Sequence, residues 1–337
     1  MNSFERFHKR LQGMPVDRPP NFDIFMTYAA HFINQPLSVY YQDYRVLCDA
    51  NFAVLEAYDL DIVQAISDPY REAADLGLPV QFPEDAMPVS TEPLLKEHAD
   101  FNKLRLIKPE NGRRMHDRLQ AIQFFRERAG GSVPVMGWVE GALAEAADLR
   151  GVSQLMMDLF EHPDWVTDLL EFCVDIEIEF AKAQIRAGAD IIGLGDAVAS
   201  QISPEMYEQY ALPYEKRIFK AVHEMGAVAR LHICGDTSLI LQQMAKSGAD
   251  IIDLDWMVDF AGAAELYADG PALCGNFDPV DVMLNGTPER VKKAVIHCAQ
   301  AGGPKSFSGA GCEIPDKTPH ENLLAQTQAL KEFTVSS

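Results

Sequence analysis

The chain has 337 residues, of which 47% are hydrophobic and 23% charged, and its formal net charge is −21 at pH 7. This composition is typical of a globular protein with a sizeable core, and the length allows one large domain or two of average size. The negative charge, with no Lys/Arg cluster to offset it locally, argues against nucleic acid and against an anionic membrane surface as partners.

The N-terminal segment, residues 1–13, lacks the apolar centre of a signal peptide, and no apolar run reaches the roughly 18 residues of a membrane span. We therefore expect a cytoplasmic protein. Six cysteines are too few for a disulfide framework in a chain of this length. Cys48, Cys173 and Cys298 are expected to be small core residues.

Short apolar runs alternate along the chain with longer amphipathic stretches, which is the pattern of βα units and a parallel sheet. Eight such runs are candidate strands, at residues 22–27, 61–66, 134–138, 190–195, 228–233, 250–255, 272–276 and 305–309. Eight strands close a barrel. The sequence therefore predicts an α/β protein with a (β/α)8 TIM barrel in a single domain, residues 1–337.

The segments between the predicted strands have helical signals. Residues 203–226 begin with Ser203 and Pro204, a favourable N-cap and first helical residue, and residues 287–303 follow the same pattern. Residues 187–196 and 247–256 share the sequence Gly-Ala-Asp-Ile-Ile, which indicates a helix-ending glycine followed by a buried strand. The stretch 67–133 is too long for one connection, and we expect extra helices or a lid there.

The carboxyl ends of the strands form the active-site rim of a parallel barrel, so polar residues at those positions are candidates for function. His232 and Cys234 are two residues apart at the end of the fifth predicted strand, and both side chains can therefore face the same space. Cys312 follows the eighth strand. One imidazole and two thiolates suit a catalytic zinc ion with a fourth position left for water or substrate, although a single His-x-Cys pair is more often a packing feature.

Several segments, taken together, resemble the uroporphyrinogen decarboxylase superfamily. They are GMPVDRPP (13–20), ISDPYREAADLG (66–77), LDWMVD (254–259), CGNFDPVDVMLNGTPERV (274–291) and GCEIPDKTPHENL (311–323). The resemblance extends in order over nearly the whole chain and implies a (β/α)8 barrel, in agreement with the strand pattern.

The chain departs from the decarboxylases at two places. Thr27 and His31 stand where the decarboxylases have an arginine pair that binds substrate carboxylates, and Cys312 stands where they have a histidine. At both places the chain resembles the corrinoid-dependent methyltransferases of the same superfamily. That resemblance implies that His232, Cys234 and Cys312 bind zinc, which in turn binds a thiol such as coenzyme M. Asp255 is then a candidate fourth ligand, or else a helix-capping aspartate.

The resulting hypothesis is a zinc-dependent methyltransferase that moves a methyl group between methylcobalamin or another corrinoid on a separate protein and a thiol or methoxy substrate. The direction of transfer is open. Asp68 and Asp196, with Asp236, are predicted to line the cavity, where they position substrate or orient His232, and each could instead cap a helix. The resemblance also implies a homodimer. A metal-independent decarboxylase and a non-catalytic protein with a closed zinc site are the alternatives.

Overall fold

Seven parallel strands form one curled sheet in the computed structural model, which describes residues 1–333. The strands lie side by side in chain order, as expected when each connection is a right-handed crossover through a helix. Their bounds are β1 Val63–Gln64, β2 Val135–Glu140, β3 Ile191–Gly195, β4 Val228–His232, β5 Ile251–Asp253, β6 Ala272–Phe277 and β7 Ser306–Ala310.

Helices connect these strands and cover the outside of the sheet. The α-helices are α1 Ser3–Leu11, α2 Thr27–Phe32, α3 Leu37–Tyr40, α4 Tyr44–Tyr58, α5 Arg71–Leu76, α6 Arg113–Ala129, α7 Ala142–Arg150, α8 Val152–Glu161, α9 Pro163–Ala187, α10 Pro204–Tyr210, α11 Leu212–Glu224, α12 Leu241–Met244, α13 Phe260–Leu266, α14 Pro288–Ala301 and α15 His320–Glu332. Short 3₁₀ helices span His98–Lys103, Pro109–Asn111, Ala197–Gln201 and Gly303–Lys305, and a π-helix spans Pro279–Leu284. No helix within residues 1–333 has both the length and the apolar character needed to cross a bilayer.

The prediction of a strand over residues 22–27 is wrong. Just before that segment, Asn21 forms an isolated parallel bridge to Ser308, and at its end α2 already begins at Thr27. The segment nevertheless connects the two edges of the sheet: the Phe22 amide donates to Ser308 O (2.8 Å), and the Asp61 amide, just before β1, donates to Asn21 O (3.0 Å). The preceding Pro-Pro pair has no N–H to extend a ladder, which accounts for the shortness of this contact.

The predicted helix over residues 203–226 is divided into α10 and α11. Pro213 has no N–H to donate to the carbonyl four residues earlier, and the backbone breaks at Ala211 (φ −118°, ψ −60°). The predicted start is confirmed, because the Ser203 side chain accepts from the Met206 amide at 3.3 Å. The first Gly-Ala-Asp segment behaves as predicted, because Gly188 ends α9 with φ +118° and β3 follows. In the second segment β5 follows as predicted, but the helix-ending glycine is wrong, because α12 already ends at Met244.

The inward-facing side chains of the sheet form a packed core of their own. Phe22 and Phe307 lie with ring centroids 4.6 Å apart, and Phe7 of α1 stacks on Phe22 at 5.8 Å, so α1 covers this end of the interior. Above these rings lies Arg230, which is 1% exposed. The interior is therefore filled by side chains, as in other parallel barrels, and the space for chemistry lies at the carboxyl ends of the strands.

Candidate metal centre

The last residue of β4 and the turn that follows it provide two donors. His232 ends β4 and Cys234 follows two residues later, and His232 Nε2 lies 2.9 Å from Cys234 Sγ. The next residue is Gly235, whose φ of +96° turns the chain sharply away from the strand. Because an L side chain rarely adopts that conformation, glycine at this position allows both donors to face the same point.

Cys312 reaches the same point from the loop after β7. Its Sγ lies 3.3 Å from Cys234 Sγ and 3.9 Å from His232 Nε2. The loop passes so close to the chain after β5 that a Cβ on Gly311 would lie 2.4 Å from Trp256 N. Only glycine fits at such a distance. The three donors, which are up to 80 positions apart in sequence, therefore meet at one place.

Asp253 fixes the orientation of the histidine. Its Oδ2 lies 2.8 Å from His232 Nδ1, and its carboxylate also accepts from Arg230 Nε at 2.8 and 3.0 Å. With Nδ1 held by the carboxylate, Nε2 is directed at the two sulfurs. From the sequence, Asp68, Asp196 and Asp236 are predicted to position substrate or orient His232, whereas in the structure the carboxylate at Nδ1 is that of Asp253. Asp253 lies there because it pairs with His232 in the β4–β5 register, which the sequence alone does not reveal.

Asp255 does not belong to the cluster of three donors that lie within 4.8 Å of one another in the described part of the chain. Its Oδ2 accepts from the Gly235 amide at 3.0 Å, and its Oδ1 lies 3.4 Å from the Met257 amide. These contacts secure the turn that carries Cys234. The role of fourth ligand stays a prediction.

The pKa values of the three donors are shifted in different directions. The hydrogen bond from Cys234 lowers the pKa of Cys312 to about 4, whereas the same contact raises the pKa of Cys234. Burial lowers the pKa of His232, but the contacts with Cys234 and Asp253 outweigh burial and raise that pKa well above its usual value. Of the two thiols, Cys312 is therefore the one that more readily becomes the thiolate, the form of cysteine that binds a metal.

Asp68 and Asp196, the predicted catalytic carboxylates, are both buried. Burial raises the pKa of Asp68, but the guanidinium of Arg114, 2.6 Å from Asp68 Oδ2, holds it below its usual value. Asp196 is fully buried, accepts from the Ala144 amide at 3.1 Å, and its pKa is raised well above normal by burial. Asp68 is thus paired with an arginine that favours its charged form, whereas burial favours the neutral form of Asp196. Their catalytic role stays a prediction.

Two further buried carboxyl groups near the strand ends were not assigned a function from the sequence. Glu140 ends β2 and pairs with Arg71 Nη2 at 2.7 Å, and burial raises its pKa to about 7. Glu313 accepts from the Thr27 amide (2.8 Å) and hydroxyl (2.9 Å), and burial likewise raises its pKa to about 7. For Glu313 the signal was its position next to Cys312.

The fold and the site define a class of protein: a parallel α/β fold with an imidazole and two thiols gathered at the carboxyl ends of its strands. The uroporphyrinogen decarboxylase (URO-D) family model matches residues 2–333. The chain therefore belongs to the uroporphyrinogen decarboxylase family.

Within this family, the similarity extends to both of its branches. The chain is 30% identical over 342 residues to a methylcobamide:CoM methyltransferase, MtbA, of Methanosarcina mazei, covering 98% of this chain and 97% of the relative. It is 28% identical to a uroporphyrinogen decarboxylase of Carboxydothermus hydrogenoformans, over 77% of this chain and 75% of the relative. The resemblance read from the sequence motifs, including the corrinoid-dependent methyltransferase branch, is confirmed.

A solved structure has the same fold. A methyltransferase from Methanosarcina mazei superposes with a TM-score of 0.90 at 23% identity, covering 98% of this chain and 99% of the other. At that identity the superposition supports the arrangement of strands and helices and carries no conclusion about activity.

Proposed function

We propose that this protein is a zinc-dependent methyltransferase that moves a methyl group between a corrinoid carried by a separate protein and a thiol or methoxy substrate. The observation that carries the proposal is the convergence of His232 Nε2, Cys234 Sγ and Cys312 Sγ within 4.8 Å of one another. The similarity to methylcobamide:CoM methyltransferases over nearly the whole chain supports a methyl-transfer role.

The donor set fits zinc. In a tetrahedral zinc site, metal–ligand lengths of about 2.0–2.3 Å place nitrogen and sulfur donors about 3.5–3.8 Å apart. The observed separations of 2.9, 3.3 and 3.9 Å differ from these by amounts that small side-chain rotations supply. Zinc bound by three protein ligands supplies an open position at which a substrate thiol is stabilised as the thiolate or a methoxy oxygen is polarised.

The protein's own residues prepare the site for that substrate. Asp253 holds the imidazole so that its Nε2 faces the centre, and Asp255 holds the turn that carries Cys234. Of the two proposed catalytic carboxylates, Asp68 has its charged form favoured by Arg114, whereas burial favours the neutral form of Asp196. In-line transfer at carbon needs the sulfur or oxygen and the methyl carbon to be held close and aligned, which a rigid rim achieves.

Exposed apolar side chains follow three neighbouring strands at this rim. Trp256 and Met257 after β5 are 49% and 44% exposed, Leu239 after β4 is 81% exposed, and Val280 after β6 is 50% exposed. Exposed apolar residues on adjacent loops are typical of a surface that binds another molecule. In our proposal the corrinoid protein would dock on this surface.

The structure around Thr27 and His31 argues against a decarboxylase that binds a polycarboxylate. The Thr27 hydroxyl donates to Glu313, and His31 lies between two carboxylates, 2.5 Å from Asp316 Oδ1 and 2.7 Å from Asp85 Oδ1. The carboxylates beside Thr27 and His31 are therefore already paired, and neither Thr27 nor His31 offers a free positive charge to an anionic substrate.

The test is a methyl-transfer assay with methylcobalamin and a panel of thiols, run on zinc-loaded protein and on the Cys312→Ser variant. We expect about one zinc per chain and transfer in the wild type, and loss of transfer in Cys312→Ser. Cys298→Ser, which removes a buried thiol away from the site, is the matched control and should retain transfer. Full activity in Cys312→Ser, or decarboxylation by metal-free protein, would contradict the proposal.

The same proposal includes the architecture. Residues 1–333 form one domain, the bridge at Asn21 closes the seven-stranded sheet into a (β/α)8 barrel without a full eighth strand, and the extra helical segment 67–133 is an insertion or lid; the last four residues of the predicted domain 1–337 lie outside the described residues. The protein works as a cytoplasmic homodimer. Analytical ultracentrifugation of the purified protein tests the dimer.

A further inference from the structure

A second group of potential metal ligands lies away from the thiol site. His98, Asp158 and His162 each offer a ligand atom, and these atoms lie within 4.8 Å of one another. His98 begins the 3₁₀ helix His98–Lys103, Asp158 lies in the last turn of α8, and His162 links α8 to α9. We propose that these three side chains form a second binding site for a divalent transition metal such as Ni²⁺, Co²⁺ or Zn²⁺.

The geometry is that of a site formed before metal arrives. His98 Nε2 lies 3.2 Å from Asp158 Oδ1, and the rings of His98 and His162 have centroids 4.3 Å apart. A tetrahedral site with metal–ligand lengths of about 2.0–2.1 Å needs ligand atoms about 3.3 Å apart. Two imidazoles and a carboxylate are ligands that suit these metals and suit Ca²⁺ or Mg²⁺ poorly.

The carboxylate and one imidazole are held in place by surrounding contacts, and the metal-facing Asp158 Oδ1 has only a long additional contact, from Gln154 Nε2 at 3.4 Å, besides that with His98. Asp158 is 1% exposed, and its other oxygen, Oδ2, accepts from Arg150 Nε at 2.7 Å. The ring of Trp165 packs on His98 at 4.6 Å, and its Nε1 donates to the His98 carbonyl at 3.2 Å. Such outer contacts reduce the freedom that the ligands lose on binding metal.

Arg150 limits the affinity of this second site for a metal ion. Its Nη2 lies 3.4 Å from His98 Nε2, so an incoming cation must displace this long contact and meet a positive charge nearby. Arg150 Nη1 donates to the carbonyls of Leu95 and Lys96 at 2.8 and 2.7 Å, and these hydrogen bonds hold the guanidinium in place. The site is therefore expected to bind more weakly than the thiolate centre.

Metal at this site would link two parts of the chain that are 60 positions apart in sequence. It would hold the segment around His98, which lies within the stretch 67–133, against α8 and α9. The expected consequence is a rise in the melting temperature on adding Ni²⁺, because a ligand that binds only the folded state stabilises it.

Cobalt titration of the full-length protein separates the two sites. Co²⁺ at the thiolate centre produces sulfur-to-metal charge-transfer absorption, whereas Co²⁺ bound by His98, Asp158 and His162 does not. We expect two equivalents to bind, only the first of which develops that absorption. In His162→Asn the second equivalent should bind at least tenfold more weakly, with the first unchanged. His162 is exposed, so this variant should fold.

His223→Asn is the matched control, because His223 also pairs with an aspartate, Asp250, at 2.8 Å but belongs to no such three-residue group in the described chain. This control should keep the second equivalent and the Ni²⁺-induced rise in melting temperature. Equal binding of the second equivalent by His162→Asn and the wild type would overturn the second site. Absence of charge-transfer absorption would count instead against the thiolate centre, so the two proposals fail separately.

Discussion

The role of Asp253 can be tested by the substitution Asp253→Asn. The wild-type carboxylate binds both His232 Nδ1 (2.8 Å) and Arg230 Nε (2.8 and 3.0 Å). An asparagine has one acceptor oxygen for two donors, so either the imidazole loses its fixed orientation or Arg230 loses its partner. Removing such an outer carboxylate typically weakens metal binding about 10- to 100-fold, or about 1.4–2.7 kcal/mol.

The same substitution affects the stability of the fold. Arg230 is 1% exposed, and breaking a buried ion pair from one side costs roughly 3–5 kcal/mol. Asp23, a second acidic group that acts on Arg230, remains in the variant, so we expect a loss near the lower end, about 3 kcal/mol. The melting temperature of metal-free protein measures this loss, and competition with a chromophoric chelator measures zinc affinity.

Asp236→Asn is the control for both measurements. Asp236 is in the same connection after β4, is exposed, and accepts only from the Ser238 amide at 3.0 Å. The Asp236→Asn variant should bind zinc with the affinity of the wild type. If folded Asp253→Asn protein bound zinc with wild-type affinity, the assignment of Asp253 as the residue that orients the metal-binding imidazole would be refuted.

Three further predictions follow from individual contacts. Gly311→Ala should lower zinc affinity at least tenfold in a folded protein, since its Cβ would lie 2.4 Å from Trp256 N and push the loop away; unchanged affinity would contradict the close approach. Burial raises the pKa of Glu313 to about 7, so this carboxyl favours folding while protonated, and its contribution is lost as the pH rises from about 4.5 to 7. Glu313→Gln, compared with the exposed control Glu321→Gln, should remove that loss in unfolding experiments at pH 5 and pH 8, and an unchanged pH slope would count against it. Asp196→Asn should keep the wild-type melting temperature at pH 7, because burial raises the pKa of Asp196 and so favours the uncharged form that asparagine mimics, and a large drop would show that its charge is needed.

The sequence predicted most of the fold because buried parallel strands leave a strong apolar signal. The runs at residues 134–138, 190–195, 228–233 and 272–276 correspond closely to β2, β3, β4 and β6. The run at 22–27 misled because most of its residues are buried as a strand's would be, whereas its strand pairing is limited to an isolated bridge at the preceding Asn21. An apolar run indicates that a segment is buried, but it does not indicate whether the segment forms the hydrogen-bonded ladder of a β-strand.

The site was predictable where it depended on spacing and unpredictable where it depended on register. His232 and Cys234 share a face because strand residues alternate, which one sequence is enough to show. The pairing of Asp253 with His232 depends on how β4 and β5 align. From the sequence alone, several acidic residues at the strand ends were equal candidates for orienting His232. The contact between Asp255 and the Gly235 amide likewise depends on the path of a turn.

The separation of the donors along the chain has a consequence for how the protein is made. Cys234 and Cys312 are 78 positions apart, and β5, β6 and β7 lie between them. During synthesis the emerging polypeptide has two donors in place long before the third exists, and closing so long a loop costs about 4 kcal/mol in an unfolded chain. At the proposed zinc site, metal binding by all three donors would therefore follow the synthesis of Cys312, late in the formation of the protein.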